Sequence, residues 1–221
     1  MAKRKPPVKK RRAKGKGKGG AFERAISDQL GEWWCGRTDV FWRSSMSGGR
    51  ATVRARRGKV TKTAHGDICA VDPIGAPLLR VITFECKTGY KGTSVHDMVD
   101  GKRGGGVDQF SKWVQQACGA YINANSLGWA LIVRRFGKVP VIFLSSRLYL
   151  RLTKMKTGID KISSQIHVIT RVPDIYHKKK LIHMARKVSF TGMPLQSFLS
   201  TIKPQQIKEI AKWWREECKR P

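Results

Sequence analysis

Residues 65–88 read HGDICAVDPIGAPLLRVITFECKT, and this stretch decides the fold. Two β-rich runs, HGDICAVD and LLRVITFECK, flank a short segment that contains Pro73, Gly75 and Pro77. Short runs rich in Val, Ile, Thr and Phe, separated by Gly and Pro, are typical of strands joined by a turn. The pattern therefore predicts a β-hairpin.

Such a hairpin would bring two acidic residues together. Asp67 lies nine residues before Ala76 and Glu85 lies nine residues after it, so a symmetric turn centred near Ala76 places them opposite each other. Opposed residues of an antiparallel pair have Cβ atoms about 4.5–5.5 Å apart, where like charges repel. Because side chains two apart in a strand share a face, Lys87 projects together with Glu85.

A positive group should lie between the two acids. Mg²⁺ fits, because it accepts one or two carboxylates together with water and a phosphate oxygen. The inference depends on the register of the hairpin, since a slip of one residue would turn one acid to the opposite face. Each fragment alone is weak: an isolated E-x-K is usually a solvated strand face, and Asp67 alone could be a turn residue.

Helical and strand patterns continue on both sides of the hairpin. Phe22, Ile26, Leu30 and Trp33 recur at helical spacing before it, and the segment VFWRSS is typical of a short strand. After a Gly-rich loop over 89–106, a second helix is predicted from the apolar face of Phe110 and its neighbours. WALIVRR and VPVIFL then predict two more strands, of which the first is apolar enough to be buried on both faces.

The order of these elements predicts an α/β fold with a mixed sheet over residues 20–145. Residues 1–19 carry many Lys and Arg and no acid, which predicts a disordered basic arm. The arm could bind phosphate or serve only as a solubilising or localisation tail. Residues 146–221 are expected to form an α-rich extension on the core, with a helix over SSRLYLRLT, a strand over QIHVITRV and a final helix from Pro204.

Composition restricts the class of partner. Lys and Arg total 45 against 15 Asp and Glu, and a formal charge of +30 favours a polyanion such as nucleic acid. No apolar run is long enough for a membrane span or a secretory signal, so a soluble cytoplasmic protein is expected, at the nucleoid or in a phage-infected host. The five Cys are scattered and never form a CxxC pair, which argues against a disulfide framework or a zinc site.

Three motifs resemble those of a known superfamily. An acid in the first helix (Glu23), Gly66-Asp67 and Glu85-Cys86-Lys87, in this order, resemble the PD-(D/E)XK nuclease superfamily. Phe22-Glu23-Arg24 and RSSMSG at 43–48 are most similar to archaeal-type Holliday-junction resolvases, including phage-encoded ones. The resemblance covers about residues 18–145. It departs where His65-Gly66 replaces a common proline, in the long basic insertion before Asp67, and in the C-terminal extension.

The resemblance implies a restriction-endonuclease-like αβββαβ core and a Mg²⁺-dependent DNA endonuclease, with Mn²⁺ as a substitute metal. Asp67, Glu85 and the main-chain carbonyl of Cys86 would bind the metal, completed by Glu23, and Lys87 would orient or deprotonate the attacking water. Glu23 has an alternative role as a first-turn acid that complements the helix dipole. Ser47 matches a serine in a mobile loop near the scissile phosphate, or is part of a flexible linker. Gln109 matches a Gln-containing motif, or only starts a helix.

Resolvases of this kind are homodimers, because two symmetric cuts need two sites. Basic residues around the site are expected to contact DNA phosphates, unless they are simply solvated: Arg43, Arg50, Arg54, Arg56, Arg57, Lys59, Lys62, Lys102 and Arg103. Two other interpretations remain open. The chain could be a nuclease of the same fold with restriction-like, nicking or flap-cutting specificity, or a basic protein that binds nucleic acid without catalysis.

Overall fold

A computed structural model describes residues 16–44, 65–100, 108–172, 175–177, 180–183 and 186–219. The first element is helix α1, Lys16–Cys35. It begins before the predicted start at Gly20, so the prediction of disorder was wrong for residues 16–19. Residues 16–19 are only Lys and Gly, so no apolar spacing indicated a helix there. They are helical because extending an existing helix is far easier than nucleating one. Residues 1–15 of the predicted arm lie outside the described residues.

The predicted hairpin is wrong. Strand β1 (Phe41–Arg43) pairs antiparallel with strand β2 (Ile68–Ala70), and β2 is not joined to the next strand by a tight turn. A 3-10 turn over Pro73–Gly75 and helix α2 (Ala76–Val81) intervene. Asp72 caps this segment by accepting a hydrogen bond from the Ile74 amide, and each proline lies in a first turn, where its missing N–H costs nothing.

A five-stranded mixed sheet forms the centre of the protein. Strand β3 (Ile82–Thr88) runs parallel to β4 (Gly128–Arg134), which pairs antiparallel with β5 (Val141–Ser145). Strand β4 lies between β3 and β5, and only its last residue, Arg134, is exposed. The prediction of a central strand buried on both faces is confirmed.

The C-terminal region adds strands to the same sheet. The strands described in this region are β6 (Ile166–Val172), β7 (Ile175–His177), β8 (Lys180–His183) and β9 (Arg186–Pro194), of which β6 and β9 join the sheet. The sheet order is β3-β4-β5-β9-β6, while β7 and β8 form a separate pair. The sequence predicted β6 but missed β9, which carries the sheet past residue 145. A division of the chain into core and extension at that residue stays a prediction.

Helices cover both faces of the sheet. They are α3 (Asp97–Asp100), α4 (Gln109–Ala124), α5 (Ser146–Lys154), α6 (Leu195–Thr201) and α7 (Pro204–Glu217). Phe110 and Trp113 of α4 pack with alternate residues of β4, including Leu131, in one hydrophobic cluster. The other face packs against α1, α2 and α7 in a second cluster. Among the described helices, none is long and apolar enough to cross a membrane.

Helix α7 is integrated into the second cluster, so we expect it to contribute to global stability. Ile210 is fully buried there together with Leu78 of α2. Ile210→Ala should lower the free energy of unfolding by about 2–5 kcal/mol, because the cavity adds to the lost burial. The exposed neighbour Glu209 is the control, and Glu209→Ala should change it by no more than about 0.5 kcal/mol. Equal urea midpoints for the two variants would contradict this packing.

Candidate active site

Strand β3 presents an acid and an amine on one face. Alternate residues Phe84 and Cys86 point into the cluster beneath α1, so Glu85 and Lys87 project to the opposite face, as predicted. Glu85 is only 1% exposed. Its Oε1 accepts hydrogen bonds from Lys87 Nζ and from Gln116 Nε2 of α4. The buried carboxylate is thus held by neighbours on two elements.

Asp67 is held between the free edge of β3 and the residue after β1 by main-chain hydrogen bonds. Its amide donates to the Phe84 carbonyl (2.8 Å) and its own carbonyl accepts from the Ser44 amide (2.8 Å). Its Oδ2 accepts from the Cys86 amide at 2.8 Å, and the residue is 6% exposed. Asp67 therefore lies next to Glu85, as predicted. The two are brought together by the hydrogen bonds between Asp67 and β3 and not by the predicted hairpin.

The same bonds orient the Cys86 carbonyl. The N–H and C=O groups of one strand residue point to the same edge. Since the Cys86 amide reaches Asp67, its carbonyl faces the Asp67 side and not β4. The Cys86 thiol is buried on the other face, where desolvation raises its pKa well above the usual value.

Burial dominates the electrostatics of this cluster. Burial, and after it the nearby Asp67 carboxylate, raise the pKa of Glu85 to about 8, although Lys87 opposes both. Burial alone would lower the pKa of Lys87, but the Glu85 and Asp67 carboxylates outweigh it and keep this pKa above its usual value. Lys87 Nζ also lies 3.9 Å from Asp67 Oδ2. The positive group between the acids is thus a lysine in this structure.

Glu23 of α1 lies at the rim of the cluster. Its Oε2 is 3.3 Å from Arg43 Nε, and its pKa is raised, first by burial and then by the Asp67 carboxylate. The helix begins at Lys16, so Glu23 is beyond the first turn, and the helix-dipole explanation is wrong for it, because that effect fades within one turn. Its Oε2 is buried, and none of the residues that the structure describes donates a hydrogen bond to it.

The donors fit a hard divalent cation that keeps part of its water shell. Asp67 and Glu85 provide two adjoining buried carboxylates, and Glu23 Oε2 is a buried oxygen that accepts no hydrogen bond from the described part of the chain. Within the described ranges, no three His, Cys, Asp or Glu side chains are grouped closely enough to enclose a metal by themselves. Mg²⁺ does not need such a group, since it is usually held by one or two carboxylates plus water.

The remaining predicted residues divide into two groups. Arg43 is described and pairs with Glu23. The others lie outside the described residues: Ser47, Arg50, Arg54, Arg56, Arg57, Lys59, Lys62, Lys102 and Arg103. Gln109 starts α4, whereas the glutamine that contacts Glu85 is Gln116, which the sequence analysis missed. It lies two helical turns after Gln109, so helical spacing to that residue was the available signal.

An α/β fold that brings a buried Asp beside a strand Glu-x-Lys defines a protein of the PD-(D/E)XK class. The model of the family described as "Phage putative PDDEXK endonuclease" matches residues 14–209. The match spans most of the chain, and the protein belongs to this nuclease family. No curated protein and no solved structure matches the chain.

Gly66 allows Asp67 to approach β3, and substituting it should disrupt the cluster. Its φ is +83°, and a Cβ would lie 2.4 Å from the Phe84 carbonyl oxygen. Gly66→Ala should therefore destabilise the fold by more than the roughly 1–2 kcal/mol that positive φ alone costs. Gly89 is the matched control, because it has φ +85° but open space around its Cβ position. Equal melting temperatures for Gly66→Ala and Gly89→Ala would contradict this close approach.

Proposed function

We propose that this protein is a Mg²⁺-dependent DNA endonuclease that hydrolyses phosphodiester bonds at the Asp67, Glu85 and Lys87 cluster. The observation that carries the proposal is the pair of buried, adjoining carboxylates with a lysine between them. Burying like charges is unfavourable unless a cation compensates them, so such a pair is expected where function requires it. Membership of a nuclease family and the charge of +30 support DNA as the substrate.

Each residue has a role that follows from its position. Asp67, Glu85 and the Cys86 carbonyl would hold the metal beside β3, and Glu23 of α1 would support it through a water molecule. The metal, when bound, would polarise the phosphate and favour ionisation of a water molecule. Lys87 would then be released from its carboxylate partners, and its ammonium group would stabilise negative charge that develops on the phosphate oxygens. Gln116 would keep Glu85 oriented.

The first test is metal-dependent cleavage. Wild-type protein should cut DNA with Mg²⁺ or Mn²⁺ and lose this activity with a chelator. Asp67→Asn and Glu85→Gln, which preserve side-chain shape, should lower the rate more than about 100-fold, because each removes a metal ligand. Both variants should still bind DNA, since removing a negative charge cannot weaken the attraction to phosphate.

Asp160→Asn is the matched control, because Asp160 is an exposed acid far along the chain. It should cleave as the wild type does. Circular dichroism of all three variants separates loss of activity from loss of folding. If wild-type protein bound DNA and no divalent metal supported cleavage, the endonuclease proposal would fail and a non-catalytic nucleic-acid-binding protein would remain.

For substrate class we propose the four-way DNA junction, cut by a homodimer. The support is the similarity of Phe22-Glu23-Arg24 and of residues 43–48 to resolvase motifs. Two symmetric cuts across a junction need two active sites related by a two-fold axis.

Cleavage rates of a synthetic four-way junction and of a linear duplex of the same sequence should differ at equal protein concentration. We expect faster cleavage of the junction, because only that substrate engages both sites of a dimer. Sedimentation of the free protein reports whether the dimer exists. Equal rates on the two substrates would instead favour a restriction-like or nicking specificity on the same core.

A further inference from the structure

The turn between β4 and β5 carries an aromatic side chain in water. Phe136 is 90% exposed and its neighbour Val139 is 69% exposed. The turn is closed by a hydrogen bond from the Lys138 amide to the Arg135 carbonyl (3.1 Å), with Gly137 at φ +66°. An aromatic ring normally contributes a large buried area to a core or an interface. Phe136 contributes none to this core.

This turn lies next to the catalytic cluster. In the parallel pairing of β3 and β4, Lys87 is opposite Val133 and Thr88 is opposite Arg134. Thr88 Oγ1 also donates to the Arg134 carbonyl at 3.2 Å. The turn therefore begins two residues after Val133, the residue of β4 that lies opposite the catalytic lysine.

A second contact joins the turn to α1. The Arg134 guanidinium lies over the Phe22 ring, 4.5 Å from its centroid, and Phe22 immediately precedes Glu23. Phe136 is therefore carried by a turn that is anchored to β3, which bears Glu85, and to α1, which bears Glu23.

All charged residues near Phe136 in the sequence are basic. Arg134, Arg135 and Lys138 are exposed, and none of the three makes a salt bridge within the part of the chain that the structure describes. No Asp or Glu occurs anywhere between Asp108 and Asp160. An exposed aromatic ring flanked by exposed cations matches the chemistry of a nucleic-acid strand, which offers base faces and phosphates together.

We propose that Phe136 stacks on a base next to the scissile phosphate, while Arg135 and Lys138 bind the neighbouring phosphates of the same strand. The proposal rests on the DNA-binding part of the proposed function. Stacking fits a nuclease that requires no fixed recognition sequence in its DNA, because every base has a π face. A second copy of the chain is a poorer occupant, since its 45 basic and 15 acidic residues would place like charges against these cations.

The test measures DNA affinity with the full chain in chelator, where cleavage does not interfere. The probes are a synthetic four-way junction and a linear duplex, each carrying 2-aminopurine, whose fluorescence reports base stacking. Phe136→Ala should weaken binding about 5- to 100-fold on the substrate that is cleaved and should abolish the fluorescence change. Phe136→Trp should restore both, whereas Phe136→Leu should not, because leucine is apolar but cannot stack.

The salt dependence of binding separates the ring from the cations. Arg135→Ala and Lys138→Ala should each reduce the slope of log affinity against log salt by about one, whereas Phe136→Ala should leave the slope unchanged. Leu150→Ala is the control, because Leu150 is an apolar residue on α5 that is 56% exposed. Its removal should change neither the DNA affinity nor the slope of log affinity against log salt. Since Phe136 is exposed, its substitution should not alter the melting temperature.

Three outcomes decide the inference. Unchanged affinity and fluorescence for Phe136→Ala would overturn it, and cleavage by that variant at the wild-type rate would leave the endonuclease proposal standing. If Phe136→Ala lowered the sedimentation mass of the protein without changing its DNA affinity, the stacking inference would be overturned in favour of contact between copies of the chain. Binding that depends on Phe136 without cleavage under any metal would support this inference while the endonuclease proposal failed.

Discussion

The docking of Asp67 onto the free edge of β3 is the interaction on which the candidate site depends. One main-chain bond to Phe84 and one side-chain bond to Cys86 fix this residue, and they bring its carboxylate beside the buried Glu85. Burial, and after it the neighbouring Asp67 carboxylate, raise the pKa of Glu85 and so make its ionisation costly. Lys87 offsets part of that cost in this structure, and a divalent cation would offset it more completely.

Local patterns in the sequence predicted the strand side of the site well. The two-residue period of a strand is independent of its partners, so placing Glu85 and Lys87 on one face needed no tertiary information. The continuous apolar run of β4 likewise predicted a central strand. By contrast, the pairing of Asp67 with Glu85 was predicted through a hairpin that does not exist. The prolines near Ala76 were interpreted as a turn, although Pro73 and Pro77 also favour the first turns of helical segments.

Tertiary contacts account for what the sequence could not predict. Gln116 reaches Glu85 only because α4 packs across that face of the sheet, and β9 joins β5 after a long excursion of the chain. The pairing of Arg43 with Glu23 likewise joins residues of α1 and β1 that no spacing rule connects. The family match reaches residue 209 and therefore includes β9 and the first residues of α7, well past residue 145.

The central claim is that Asp67 and Glu85 together capture a divalent cation. Electron paramagnetic resonance titration with Mn²⁺ measures this directly, because bound and free manganese give different signals. Wild-type protein should show saturable binding that both Asp67→Asn and Glu85→Gln remove, while Asp160→Asn retains it. Binding of equal stoichiometry and affinity in the wild type and in both site variants would contradict the account.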